Sequence, residues 1–400
     1  MKLIGRLLVA CAAVVSVTGT AWAESQPIRI GVSIRMVSED GLKIGKMLVD
    51  QFEDVNKAGG INGHKIEVTL LNDECKADVG VQNAIKLINE TKVDLLIGST
   101  CSAVTLPIVD VTARAKVPHI TPSSTAIPIT MKNSAWVFRV SISERFYKAV
   151  VGKYVGEKLG KKVAYIYTTD LASQSFAKSM IDYMKQAYQV DPVLAVQVSE
   201  NETDYRSHFL KMKSLAPEVI AMSGVPVEMG RMLAQANEVG IPASVPRVAQ
   251  SNAGVSTTPN LAGDNIKGLI FSFGFTPFDD RPVAKKFVEL TKTRYGVALP
   301  DADFAGAWDL AQIVKAALTK AKLKLTPDSL AADREAIRDA LASTTNYEGL
   351  AAGPINFCAD PTPQCRDGNR TPVLVQYTKG GKDYAQKVID KVTFDKDFGL

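Results

Sequence analysis

The chain has 400 residues, 46% hydrophobic and 22% charged, which is enough apolar side chain for buried cores and too much for a disordered polymer. Its 47 basic and 42 acidic residues give a formal charge of +5, and the two signs are interspersed, so no nucleic-acid footprint is expected. Five cysteines and three scattered histidines form no CxxC or HExxH spacing, so neither a metal site nor a cofactor is expected.

The first element in chain order is a leader. "MKLIGR" is positively charged, "LLVACAAVVSV" is apolar but too short to span a bilayer comfortably, and "AWA" presents the small residues that a signal peptidase reads. The expectation is a signal peptide over 1–23, cleaved after Ala23, and a periplasmic protein. "LVAC" at 8–11 has the outline of a lipoprotein box, but the apolar run continues past Cys11 and only four apolar residues separate Cys11 from Arg6. Removing the 23-residue leader from 400 leaves 377, a length for two domains rather than one.

Alternating strands and helices follow. "IRIGVSI" (28–34) reads as a strand, and "GLKIGKMLVDQFEDVNKAG" reads as a helix with an apolar stripe, stopped at Gly59-Gly60. "HKIEVTLLND", "VDLLIGS" and "VPHITP" read as further strands, separated by the helices "VGVQNAIKLINE" and "SAVTLPIVDVTARA". This alternation predicts a parallel sheet covered on both faces. It restarts at the helix "ERFYKAVVGKYVGEKLG" and the strand "KKVAYIYTTD", and continues through "PVLAVQVSE", "EVIAMSG", "SVPRVAQS" and "NIKGLIFSFGF". Three helical segments without a full strand between them come next, starting at Pro282, Phe304 and Asp333. They cannot build a third α/β unit and are expected to pack on one of the first two. "PVLVQYTKGGKDYAQKVI" ends the pattern as a hairpin turning at Gly380-Gly381. The fold class is therefore α/β, with two doubly wound, Rossmann-like lobes.

No GxGxxG, GxxxxGK[ST] or GxSxG occurs at the strand ends, which removes the simple arguments for a nucleotide enzyme or a serine hydrolase. Two hydroxyl clusters stand out instead: Ser99–Ser102 after one strand and Ser123, Ser124 and Thr125 after the next. Open α/β sheets bind ligands beyond the carboxyl ends of their strands, so both clusters should face one crevice. Ser102 is placed to cap the following helix, where free N–H groups and the helix dipole favour an anion. A carboxylate held this way needs no basic side chain. A Ser at such a junction is also an ordinary N-cap.

Without Cys11, four cysteines remain and allow three pairings. Cys358 and Cys365 flank the short "ADPTPQ", which a local bridge would staple, leaving Cys75 to pair with Cys101. In the loop-entropy model the larger loop contributes about 3.5 kcal/mol and the smaller about 2.5.

The sequence resembles the periplasmic solute-binding proteins of branched-chain amino acid (leucine/isoleucine/valine) ABC transporters. The likeness spans nearly the whole chain after the leader and rests on "IRIGVSI", "NKAGGINGHKIEVTLLNDECKAD", "LLIGSTCSAVTLPI", "ITPSSTAIPIT", "FRVSIS" and "VEMGRMLAQANEVG". It implies a type I binding protein whose two lobes are joined by three crossovers, near Val140–Ile142, Phe271–Phe275 and Ile355–Phe357. The lobes would be 24–141 plus 275–355 and 142–274 plus 356–400. It implies a Cys75–Cys101 bridge, and a ligand carboxylate held by Ser102, Ser123 and Thr125, with Ser124 between them. The other half of the ligand matches the family poorly. Ala172 and Ser173 stand near the family's aromatic, Val225 replaces a second aromatic, and Ser251 or Asn252 stands where an acid should meet the ligand ammonium. Asp170 is the candidate substitute, although it is equally placed to be a helix N-cap, and Arg35 is a possible second cationic contact.

The reading is a monomeric, non-enzymatic binder of an amino acid or related small carboxylate, delivering it to an ABC transporter membrane permease. Two alternatives use the same fold: a binder of a non-amino carboxylate or amide, and a sensory ligand-binding module. An exported enzyme using Ser102 or Asp170 is the third.

Overall fold

The computed structural model describes residues 26–132 and 134–392. The expected leader with its cleavage site, and the last eight residues, lie outside them.

The first unit runs β1 (Ile28–Ile34), α1 (Glu39–Lys57), β2 (Ile66–Asn72), α2 (Ala77–Asn89), β3 (Leu95–Gly98), α3 (Ser102–Ala115), β4 (His119–Thr121), α4 (Pro128–Met131) and β5 (Val137–Arg139). Its five strands are parallel, in the order β2-β1-β3-β4-β5. In α1, Ile44, Met47, Leu48 and Phe52 recur at helical spacing and are buried, and Ser38 caps the start by accepting from the Gly41 N–H. The stop at Gly59-Gly60 has a conformational cause: both residues have positive φ. β1 is buried on both faces. Ile28, Ile30, Val32 and Ile34 join the α1 core, while a Cβ at Gly31 would touch Leu87 of α2 on the other side.

The second unit runs α5 (Glu144–Tyr154), β6 (Val163–Thr168), α6 (Leu171–Tyr188), β7 (Leu194–Val198), α7 (Arg206–Ser214), β8 (Val219–Ser223), α8 (Pro226–Glu238), β9 (Arg247–Ala249), α9 (Thr257–Ala262) and β10 (Ile270–Phe273). The helices α10 (Pro282–Tyr295), α11 (Ala302–Lys320) and α12 (Leu330–Ala342) follow, then the single turn α13 (Pro363–Arg366) and the hairpin β11 (Val373–Lys379) and β12 (Ala385–Lys391). The second sheet has seven strands in the order β12-β11-β10-β9-β8-β6-β7. Strands β6 to β10 are parallel, and the terminal hairpin extends them antiparallel.

Helices α10, α11 and α12 return to the first sheet, burying Phe287, Leu310, Val314, Ile337 and Leu341 in one core with β1 and α1. Three connections therefore link the two sheets: after β5, after β10 and between α12 and β11. The last stays with the first sheet longer than the expected crossing at 355–357. Phe357 meets Phe138 edge-on at 5.2 Å, and the Gly368 N–H donates to the Arg139 carbonyl at 3.0 Å.

Both disulfides form: Cys75–Cys101, with Cα atoms 5.6 Å apart, and Cys358–Cys365 at 4.7 Å. The first ties the turn before α2 to the turn before α3. Among the described residues no helix is long and apolar enough to cross a membrane.

Candidate functional site

A cavity of about 390 Å³ lies between the carboxyl ends of the two sheets, a size suited to a small solute. The first unit contributes Thr100 and Ser102 after β3, Ser123 and Thr125 after β4, Arg35 after β1 and Asp303 from the first turn of α11. The second contributes Asp170, Ala172, Val225, Ser251 and Asn252. Val140, Ile142, Phe273 and Phe275, from two of the connections, add an apolar side.

The two hydroxyl clusters do meet, but they divide into two jobs. Ser99 is fully buried; its hydroxyl donates to Asp73 at 2.6 Å and accepts from the Cys101 N–H at 3.0 Å. Its carbonyl collects the hydroxyls of Thr121 at 2.7 Å, Ser124 at 2.9 Å and Thr105 at 3.3 Å. These groups form a buried polar joint that locks two strand ends together, with every member hydrogen-bonded. Ser124 belongs to it: the residue is 0% exposed and does not line the cavity, which corrects its assignment as a ligand contact.

Ser102, Ser123, Thr125 and Thr100 line the cavity. The expected cap is also corrected. Cys101 is the N-cap residue of α3 and makes no side-chain cap; Ser102 is the first helical residue, and its hydroxyl accepts from the Ala126 N–H at 3.2 Å. That bond holds the β4 loop beside the start of α3. The Ser102 and Ala103 N–H groups have no protein acceptor among the described residues, and both residues line the cavity. Unfilled N–H groups at a helix start favour an anion. The Ser123 hydroxyl is buried without a hydrogen-bond partner of good geometry.

Asp170 lines the cavity but is also the N-cap of α6, accepting from the Ser173 N–H at 2.9 Å and the Thr168 hydroxyl at 2.5 Å. One side chain is thus both the cap of α6 and part of the cavity wall. Ala172, Ser251, Asn252 and Arg35 line the cavity as well. Asn252 is tied to the Gly224 carbonyl at 2.9 Å.

Two carboxyls escaped the sequence reading. Glu144, the first residue of α5, is 0% exposed. It sits at the seam between units, its Oε1 accepting from Gln250 Nε2 at 3.3 Å and Ser251 Oγ at 3.4 Å. Burial pushes its pKa up to about 8, against the opposing pull of the Thr125 hydroxyl, Gln250, Arg139 and Ser251. A raised carboxyl keeps its proton in the folded state while the unfolded chain ionises. Stability should therefore fall as pH rises from about 4.5 to about 8 and level off above. Glu144→Gln should flatten that decline, which thermal unfolding between pH 5 and 8 would reveal as converging curves at the acid end. The other is Asp303. A Cβ at Gly306 would lie 2.5 Å from the Pro122 carbonyl, so only glycine lets α11 sit this close to the β4 loop. Asp303, one turn earlier on α11, is thereby brought to the cavity beside Ser123.

A profile for the family described as periplasmic binding protein matches residues 27–381. The chain belongs to the periplasmic binding protein family. An amino acid binding protein of Pseudomonas aeruginosa is 30% identical to this family member over 243 residues, 59% of the chain. The chain spans 64% of that relative's length. Two solved structures share the type I binding-protein fold. The branched-chain amino acid transporter substrate-binding protein LivJ of Streptococcus pneumoniae, in complex with isoleucine, superposes with a TM-score of 0.77 at 24% identity, covering 92% of this chain and 100% of its own. An ABC transporter solute-binding protein of Rhodopseudomonas palustris, in complex with 3,4-dihydroxybenzoic acid, gives 0.78 at 20% identity, covering 93% and 99%.

Proposed function

We propose that the chain is the extracytoplasmic solute-binding component of an ABC importer, capturing an amino acid or related small carboxylate between two closing lobes. The observation that carries this is the position of the hydroxyls and free helix N–H groups. They line a cavity bounded by both units and by two of the connections between them. The carboxylate would dock first on Ser102, Ser123, Thr125 and the start of α3. Asp170, Ala172, Ser251 and Asn252 would then complete the site as the second lobe closes, and the ligand favours the closed form because it touches both lobes only there. Contacts across the cleft already exist: Ser256 Oγ donates to Asp40 at 2.5 Å, and Leu171 packs on the Val109, Ala126 and Ile129 cluster.

The lobes we assign are 24–141 plus 275–355 and 142–274 plus 356–400, the second boundary falling within the third connection. Export through a leader ending at Ala23, residence in the periplasm as a monomer, delivery to a membrane permease and the absence of catalysis all follow from this role. The isoleucine and dihydroxybenzoate complexes of the two neighbours frame the solute classes to try. The test is a thermal-shift screen of amino acids, aliphatic acids and aromatic acids. A solute at about 100 times its Kd should stabilise the protein by about 2.7 kcal/mol. A flat screen, or turnover of esters or amides that Ser102→Ala abolishes, would overturn the reading.

A further inference from the structure

Among the described residues, the titratable groups on the cavity wall are four carboxylates, Asp170, Glu200, Asp303 and Asp309, and one cation, Arg35, besides the phenol of Tyr147. Three of the carboxylates already have partners. Asp170 caps α6. Asp309 accepts from the Leu350 and Ala351 N–H groups at 2.9 and 3.0 Å and from the Tyr347 hydroxyl at 3.1 Å. Glu200 is solvent-exposed and accepts from the Thr169 hydroxyl at 3.3 Å. Asp303 differs. It has no ion pair among the described residues, and burial raises its pKa, opposed by the charge of Arg35 and by the nearby Ser123 hydroxyl. The charge of Arg35 acts on both Asp303 and the buried Asp73, so one cation serves two carboxyls. Asp303 is half-buried at the cavity wall, and a carboxylate drawn partly out of water without a full counter-charge is costly, so a cation brought to it recovers part of that cost. Beside it lie groups of the opposite preference: the free N–H groups at the start of α3 and the hydroxyls of Ser102 and Thr125, which suit an anion.

We propose that Asp303 receives the cationic end of the solute, so that the first lobe alone holds both charges of an α-amino acid. This rests on the solute-binding reading above and narrows its substrate class to zwitterions. An acid lacking the amine would bring a second negative charge toward Asp303 with nothing to neutralise it. The second lobe need then supply no acid, in keeping with Ser251 and Asn252 at its wall.

The experiment is calorimetric titration of wild type and Asp303→Asn with standard L-amino acids, the same acids lacking the α-amine, and benzoate. The tightest probe should carry the amine, and its amine-free partner should bind at least about 30-fold more weakly. Asp303→Asn should weaken the amine-bearing probe by about 10- to 100-fold and leave the amine-free one unchanged or tighter. The ligand-free variant should unfold at or above the wild-type temperature, because an under-compensated charge has been removed. An amine-free acid binding best would overturn the inference while leaving the solute-binding role intact, and so would an Asp303→Asn effect that is absent or equal on both probes. Binding of no probe at all would overturn both. The wild-type ratio is read without any variant, so it decides even if Asp303→Asn fails to fold.

Discussion

Ser102→Ala combined with Thr125→Val should cost about 2–4 kcal/mol of affinity for the best solute of the screen, from about 1.5–3 kcal/mol per charge-assisted hydrogen bond. In dissociation constants that is about 30- to 1000-fold, measured by titration calorimetry. The structure supplies the control. Ser102 Oγ also accepts from the Ala126 N–H, so its loss has a structural cost as well as a binding one. Ser124→Ala imposes a structural cost alone: its hydroxyl contacts Thr105 Oγ1 at 2.7 Å and donates to the Ser99 carbonyl, away from the cavity. Ser124→Ala should therefore lower stability by about 1 kcal/mol and leave affinity within about threefold. Equal affinity losses in the two proteins would mean that the polar joint, and not direct contact, governs binding.

That contrast marks what the sequence could not resolve. Ser123, Ser124 and Thr125 are consecutive in "TPSST" and chemically alike, and strand-end position alone sends all of them to the crevice. Which hydroxyl turns inward depends on where Ser99 and Thr105 stand in the neighbouring turn, a long-range contact that no local pattern encodes. The same limit applies to Ser102. The cap rule points to a serine, but Cys101 takes the cap position and the Ala126 N–H claims the Ser102 hydroxyl.

Periodicity served the fold far better. The helix at 102–115 and the strand at 28–34 occur with the ends read from their apolar spacing. β5 was legible only as part of a resemblance, because three residues between a short helix and a connection carry too little alternation to read. Asp303 had a visible neighbour: Asp301 sits before an apolar-periodic run and caps α11, accepting from the Asp303 and Phe304 N–H groups. The sequence thus predicts a helix start there. It does not predict that Gly306 lets that start reach Pro122 from almost 200 positions away. Glu144 likewise reads as an ordinary first-turn acid favoured by the helix dipole; its burial comes from Gln250 and Ser251 across the seam.

Asp367→Asn should be the most destabilising single change at the connections, by about 3–5 kcal/mol, measured as a lower denaturant midpoint with an unchanged slope. Asp367 is 0% exposed. Its Oδ1 accepts from Arg139 Nε at 2.8 Å and from the Arg139 terminal nitrogen at 2.6 Å, and its Oδ2 lies 3.1 Å from Arg145 Nε. Arg139 spends its remaining donors on the Ala126 carbonyl at 2.7 Å, the Thr130 hydroxyl at 2.9 Å and the Ser124 carbonyl at 3.4 Å. One carboxylate thus faces two guanidinium groups, with Arg139 at the end of β5, Arg145 on α5 and Asp367 in the third connection, so the cluster ties two of the three links together. Removing its charge takes a shared acid from both guanidinium groups, and Glu144 can respond, because Arg139 already favours its charged form. Glu144 should then ionise at lower pH and recover part of the loss. Asp367→Asn with Glu144→Gln should consequently be less stable than the sum of the two single changes. Strict additivity would mean that Glu144 stays protonated and the two arginines find their compensation elsewhere.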